Sequence, residues 1–127
     1  MGSGRFHSTT GEALPYQLLR HDDYLEVRLE GVVEAALDFN APPFSSALKT
    51  RVLVDYSAVT EVRTDAYVLA EQARRAEAAG LKVAVFAPRP AMFGLNRQAL
   101  QLGAVREGVS AGVFTDLEEA RAWLQAG

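Results

Sequence analysis

The sequence predicts an α/β domain: an open, mostly parallel sheet of about five strands, flanked by helices and begun by an antiparallel N-terminal hairpin. Three observations carry this prediction. Tyr24 to Glu30 alternates polar and apolar residues, with Leu25, Val27 and Leu29 on one side, as a strand with one wet face does. Val52 to Val54 and Lys82 to Phe86 are continuously apolar and rich in valine, which suits central strands covered on both faces. Between those two runs lies a helical pattern striped with alanine, so the strands on either side of it must be parallel.

The elements follow in order. Met1 to Gly11 has glycine, serine and threonine without periodicity, so residues 1–14 are expected to be a flexible segment and the domain to span 15–127. His7 falls in that segment and is expected to be solvated. Tyr16 to Arg20 and Tyr24 to Glu30 form the hairpin, with His21, Asp22 and Asp23 as its turn. Val33 to Phe39 is expected to be a short helix interrupted by Pro42 and Pro43, with a second helical piece at Phe44 to Lys49. The strand at Val52 to Val54 is expected to end at Asp55, and a loop to lead into a helix from Thr64 or Asp65 to Ala79. Ala66, Leu69, Ala70, Ala73 and Ala76 share the buried stripe of that helix, and Gly80 stops it. Pro88 and Pro90 stiffen the next loop before a helix over Ala91 to Leu102, closed by Gly103. Val113 and Phe114 supply the last strand, and Asp116 and Glu119 stand at capping-box spacing before a C-terminal helix.

Composition removes whole classes of function. In 127 residues, 13 Lys and Arg face 16 Asp and Glu, and a net charge of -3 gives no basic surface for nucleic acid. With no cysteine there are no disulfides or thiolate chemistry, and with two histidines little imidazole chemistry. No uncharged apolar run reaches the ~18 residues of a membrane span, and the expected location is the cytoplasm.

Four groups of residues invite a chemical reading. Gly108-Val-Ser110-Ala-Gly112 matches the nucleophile elbow, but it precedes a strand rather than following one, and no histidine lies downstream. Ser110 therefore reads as part of a glycine-rich turn. Asp55, Glu61 and Asp65 could be imagined as an acid–base or metal set, yet their spacing matches no ligand signature, and capping or solvated carboxylates are expected. The segment Asp55 to Asp65 leads to a helix N-terminus, whose unpaired N–H groups favour anions; Thr64 or Asp65 would cap it. Phe39, Phe44, Tyr67, Met92 and Phe93 lie off the main apolar stripes and could line a site for an apolar ligand, or simply plug the ends of the sheet.

From about Tyr16 to Ala126 the chain resembles the SpoIIAA-like branch of the STAS superfamily, the fold of anti-sigma factor antagonists. The resemblance is carried by Val52-Leu-Val-Asp55-Tyr-Ser57-Ala-Val59-Thr60, the helix after it, Lys82-Val-Ala-Val-Phe-Ala-Pro88, and Val113-Phe-Thr-Asp116-Leu-Glu-Glu-Ala120-Arg-Ala-Trp123-Leu124. Antagonists of that family carry Asp-Ser-Ser-Gly at the start of the helix, and a partner kinase phosphorylates the first serine. Here the stretch reads Arg63-Thr64-Asp65-Ala66, so Thr64 alone keeps a hydroxyl and Asp65 would set a negative charge beside any phosphate. Relatives in the branch also look like lipid or small apolar ligand binders, with a fold similar to the CRAL-TRIO carriers.

The resemblance and the absence of a catalytic set imply a non-enzymatic regulatory or protein-interaction module without cofactor or metal. Its partner would be a kinase or an anti-sigma-like regulator. The expected interaction surface is the Tyr56 to Thr64 loop and the helix start, with Tyr56, Ser57, Thr60, Arg63, Thr64, Asp65 and Tyr67, and with Thr64 and Ser57 as phosphoacceptors. The alternative is an apolar-ligand domain using Phe39, Phe44, Tyr67, Met92 and Phe93. An exposed edge of the N-terminal hairpin would allow a homodimer.

Overall fold

In the computed structural model, residues 5–7, 13–35, 37–39 and 50–126 are described. They form the expected α/β domain. A single sheet has the strand order β1-β2-β3-β4-β5-β6, which is also the order along the chain. The strands are β1 (Arg5–His7), β2 (Ala13–Arg20), β3 (Leu25–Val33), β4 (Arg51–Val62), β5 (Lys82–Phe86) and β6 (Ala111–Phe114). The helices are α1 (Ala66–Ala78), α2 (Pro90–Leu102) and α3 (Leu117–Gln125). Pairing is antiparallel for β1–β2 and β2–β3, and parallel for β3–β4, β4–β5 and β5–β6.

The hairpin forms as its alternation demands, with Leu18 opposite Val27 and Tyr16 opposite Leu29. At its turn the His21 N–H donates to the Tyr24 carbonyl at 2.9 Å. One face of the sheet is the larger core. Leu18, Val27, Val54, Tyr56 and Val85 meet Ala76 of α1 and Met92 of α2 there. On the other face Leu53 and Ala84 meet Ala120 and Leu124 of α3, both fully buried. Burying a leucine such as Leu124 is worth about 1.5–3 kcal/mol, enough to hold a nine-residue helix that could not persist alone. Lys82 closes the end of α3 by donating its ammonium to the carbonyls of Trp123 at 2.7 Å and Ala126 at 2.9 Å.

Helix limits follow their caps. Asp65 accepts from the Val68 N–H at 3.0 Å and Asp116 from Glu119 at 3.1 Å. Gly80 takes the left-handed φ of 78° that ends α1, and the Leu81 N–H returns to the Ala76 carbonyl at 3.0 Å. The alanine stripe lets α1 and α2 approach so closely that a Cβ on Gly103 would stand 2.9 Å from the Ala70 carbonyl oxygen.

Three expectations need correction. Arg5–His7 is not outside the fold but pairs with β2, and β2 itself begins at Ala13, before residue 15. Val33 to Phe39 is not a helix among the described residues: β-branched Val32 and Val33 extend β3 opposite Glu61 and Val62. The second expected helix, Phe44 to Lys49, lies outside the described residues. Finally, β4 does not end at Asp55 but runs to Val62. Tyr56, Val59 and Val62 reach the same core at intervals of three instead of two, because two irregularities absorb extra residues: Arg28 and Glu30 face Asp55 and Ala58, and Gly31 and Val32 face Val59 and Glu61.

Candidate interaction surface

What the sequence presents as a loop is therefore the far half of β4. It pairs with β3 on one side and has passed the last β5 partner, which is Phe86 opposite Asp55. Ser57, Ala58, Thr60, Glu61 and Arg63 are exposed there and Thr64 is half-buried. Just beyond, on the first turn of α1, Tyr67 is 72% exposed and Val68 38% exposed. These two apolar side chains thus face solvent within a turn of Thr64.

One of the expected surface residues does not belong to it. Tyr56 is 1% exposed and packs in the main core. Burial pushes its hydroxyl up to about 12, and a hydrogen bond from the Asn96 side chain offsets this only in part. Asp55, at the expected end of the strand, is buried as well, and its Oδ1 accepts from the Ser57 N–H at 2.7 Å. That bond satisfies a backbone donor at the strand irregularity, which is a structural duty.

Around Thr64 the charges are already engaged. Arg63 donates Nε to Glu61 Oε2 at 3.0 Å and lies 3.9 Å from Glu34; its guanidinium is held above its ordinary pKa chiefly by the Glu61 hydrogen bond. Asp65 caps α1 with the carboxylate that sits next to Thr64 in sequence. A phosphate on Thr64 would gain the helix dipole but face Asp65, and its nearest cation already has two acidic neighbours. Asp55, Glu61 and Asp65 do not converge: each carboxylate has its own structural partner. Among the described residues no group of three or more acidic or histidine side chains is placed to hold a metal.

A polar cluster on the opposite sheet face is absent from the expected site residues. The supposedly wet side of β3 is largely dry, because α3 covers its beginning. Tyr24 is buried, and Glu26 is only 2% exposed. The carboxylate of Glu26 is satisfied by Arg28, whose Nε and Nη2 reach Oε2 at 3.2 and 2.9 Å, and by His21 Nε2 at 2.9 Å from Oε1. His21 is thus more than a turn residue; it also stacks on Tyr24 with ring centroids 4.4 Å apart. Two signals lay in the sequence: a glutamate between Leu25 and Val27, and an arginine two positions on to pair with it.

Of the apolar-ligand residues, Phe39, Met92 and Phe93 pack in the main core, Tyr67 stands in solvent, and Phe44 lies outside the described residues. Phe39 does line a cavity between α1, α2 and the sheet, with Leu69, Ala73, Val83 and Leu100. Its volume of about 30 Å³ holds one or two water molecules. Benzene, by comparison, occupies an apolar cavity of about 150 Å³.

Ser110 lies at the edge of the same cavity and donates its hydroxyl to Glu77 Oε2 at 2.7 Å. Together with the Arg106 backbone N–H at 3.0 Å, that bond holds the Glu77 carboxyl below the usual carboxylate range. Ser110 thereby ties the turn before β6 to the end of α1. No protein-family model matches the chain, and no curated protein matches it either.

Proposed function

We propose that this chain is a non-enzymatic regulatory module of STAS-like type that binds a protein partner through the outer end of β4 and the first turn of α1. The observation that carries the proposal is the exposure of Tyr67 and Val68 beside Thr60, Arg63 and Thr64. A solvated tyrosine offers a large amphipathic contact at little conformational cost, and tyrosine is enriched at protein interfaces. Ser110 and the carboxylates of Asp55, Glu61 and Asp65 are committed to structural bonds, which supports binding over catalysis. The partner belongs to the class implied by the resemblance, a kinase or an anti-sigma-like regulator, and the site of action is the cytoplasm. The cavity, sized for water, gives the carrier alternative less support.

The reading is tested by placing p-benzoylphenylalanine at position 67 and, as a control, at position 109. Val109 is 60% exposed but lies in the turn before β6, away from the proposed surface. Irradiation in extract from the source cells should give a discrete protein adduct at position 67 and none at position 109. Equal labelling at both positions, or none at either, would contradict the surface.

A further inference from the structure

Beyond binding a partner, the free edge of β4 carries an inference about this chain itself. The hairpin edge, where a dimer contact was expected, is occupied: β1 pairs with β2, placing Arg5 opposite Gln17. At the other margin β6 has only four residues, and the Gly108 N–H donates to the Ala111 carbonyl at 2.7 Å, blunting that edge. Strand β4 differs. Between Tyr56 and Val62 it has no β5 partner among the described residues, while β3 still pairs its other side as far as Val62.

The Arg63 N–H donates to the Val33 carbonyl at 2.7 Å, so strand alternation turns the N–H and C=O of Val62 toward the open side. Glu61 and Arg63 flank that residue on one face, joined at 3.0 Å and both more than half exposed. We infer that two copies of the chain associate through this edge as an antiparallel pair about a two-fold axis at Val62. Residues paired across such an axis have numbers with a constant sum. Val62 therefore meets its own copy and exchanges two backbone hydrogen bonds, while each Glu61 lies opposite an Arg63. The self-complementary charges select a second copy as the occupant: the pair satisfies both ends at once without another protein.

The contact is short, so the dimer is weak and in equilibrium with the monomer. It shares Arg63 and the end of β4 with the proposed partner surface but does not use Tyr67, and its test needs only the purified chain. Sedimentation equilibrium is run on the wild type, Glu61→Arg, Arg63→Glu and an equimolar mixture of the two variants. Both substitutions are at exposed positions, and circular dichroism checks that each variant is folded. The wild type should dimerise with a concentration-dependent mass. Each variant alone places like charges opposite each other and should dimerise at least tenfold more weakly. The mixture restores opposite charges at both positions and should form a one-to-one heterodimer near wild-type affinity. A monomeric wild type, single variants that dimerise as the wild type does, or a mixture that stays monomeric would each overturn the inference. A dimer lost in these variants but kept in Tyr67→Arg assigns self-association to the β4 edge and not to Tyr67.

Discussion

Replacing Tyr56 by phenylalanine should make the protein less stable at pH 8 and more stable at high pH. At pH 8 the change removes the hydroxyl's hydrogen bond with Asn96, worth about 1 kcal/mol, while the ring keeps its place in the core. At alkaline pH the sign reverses. The folded-state pKa is raised from 10.0 to about 12, so this tyrosine's contribution is fully present below pH 10 and is lost as pH rises toward 12. Two pKa units correspond to about 2.7 kcal/mol of lost stability by the top of that window, which exceeds the hydrogen bond. The stability curves of wild type and Tyr56→Phe should therefore cross at about pH 11. Other titrating groups are common to both proteins and cancel in the difference. Urea unfolding followed by the fluorescence of the single tryptophan, Trp123, measures both curves. Parallel curves from pH 8 to 12 would refute the burial of this hydroxyl and return Tyr56 to the surface.

Three further outcomes follow from the geometry. Arg28→Met should destabilise the fold by about 3 kcal/mol, because it removes both bonds to the buried Glu26 Oε2 and leaves only His21 on Oε1; Glu26→Gln should cost less, since Arg28 is 40% exposed and can turn to water. Chemical denaturation of the two variants checks the order, and an equal or reversed cost would contradict it. Gly103→Ala should lower stability by about 1–3 kcal/mol, as its methyl group would press on the Ala70 carbonyl and part α1 from α2; thermal melting measures it. Stability in acid should fall as pH drops below the ordinary glutamate value of 4.5 through the lowered pKa of Glu77, because the ionised carboxylate accepts the Ser110 and Arg106 bonds more strongly than the protonated acid does. Ser110→Ala should weaken that acid dependence, and an unchanged acid limb would show that the Ser110 bond does not form in solution.

The fold was legible where the side-chain period and the caps agree. Val52 to Val54, Lys82 to Phe86, the alanine stripe of α1, and Asp65 and Asp116 as caps each express one local rule, and each stands where that rule puts it. The errors arose where pairing overrode local pattern. Nothing near Val33 announces that β3 continues, because the extension depends on the far half of β4, which Asp55 and Ser57 disguise as a loop. Tyr56 was assigned to the surface for the same reason: with the strand ended at Asp55 it falls in solvent, whereas with the strand continued it alternates into the core. Glu26 was read as solvated because its cover is a helix almost a hundred residues later in the chain, a distance over which periodicity carries no information. At the candidate site Thr60 and Arg63 stand on or just past the outer end of β4, and Thr64 and Tyr67 at the start of α1. The exposure of Tyr67 emerged only from its position on the outer side of α1.

The central claim, that this chain binds a protein rather than a small apolar ligand, is tested most directly by native mass spectrometry of the protein isolated from its own cells. The account predicts a bound polypeptide that is lost on denaturation and absent from Tyr67→Arg. It also predicts self-associated chains, recognised by whole multiples of the chain mass, which that substitution leaves in place. A small-molecule adduct in place of a polypeptide, retained in Tyr67→Arg, would contradict it and make the chain a carrier.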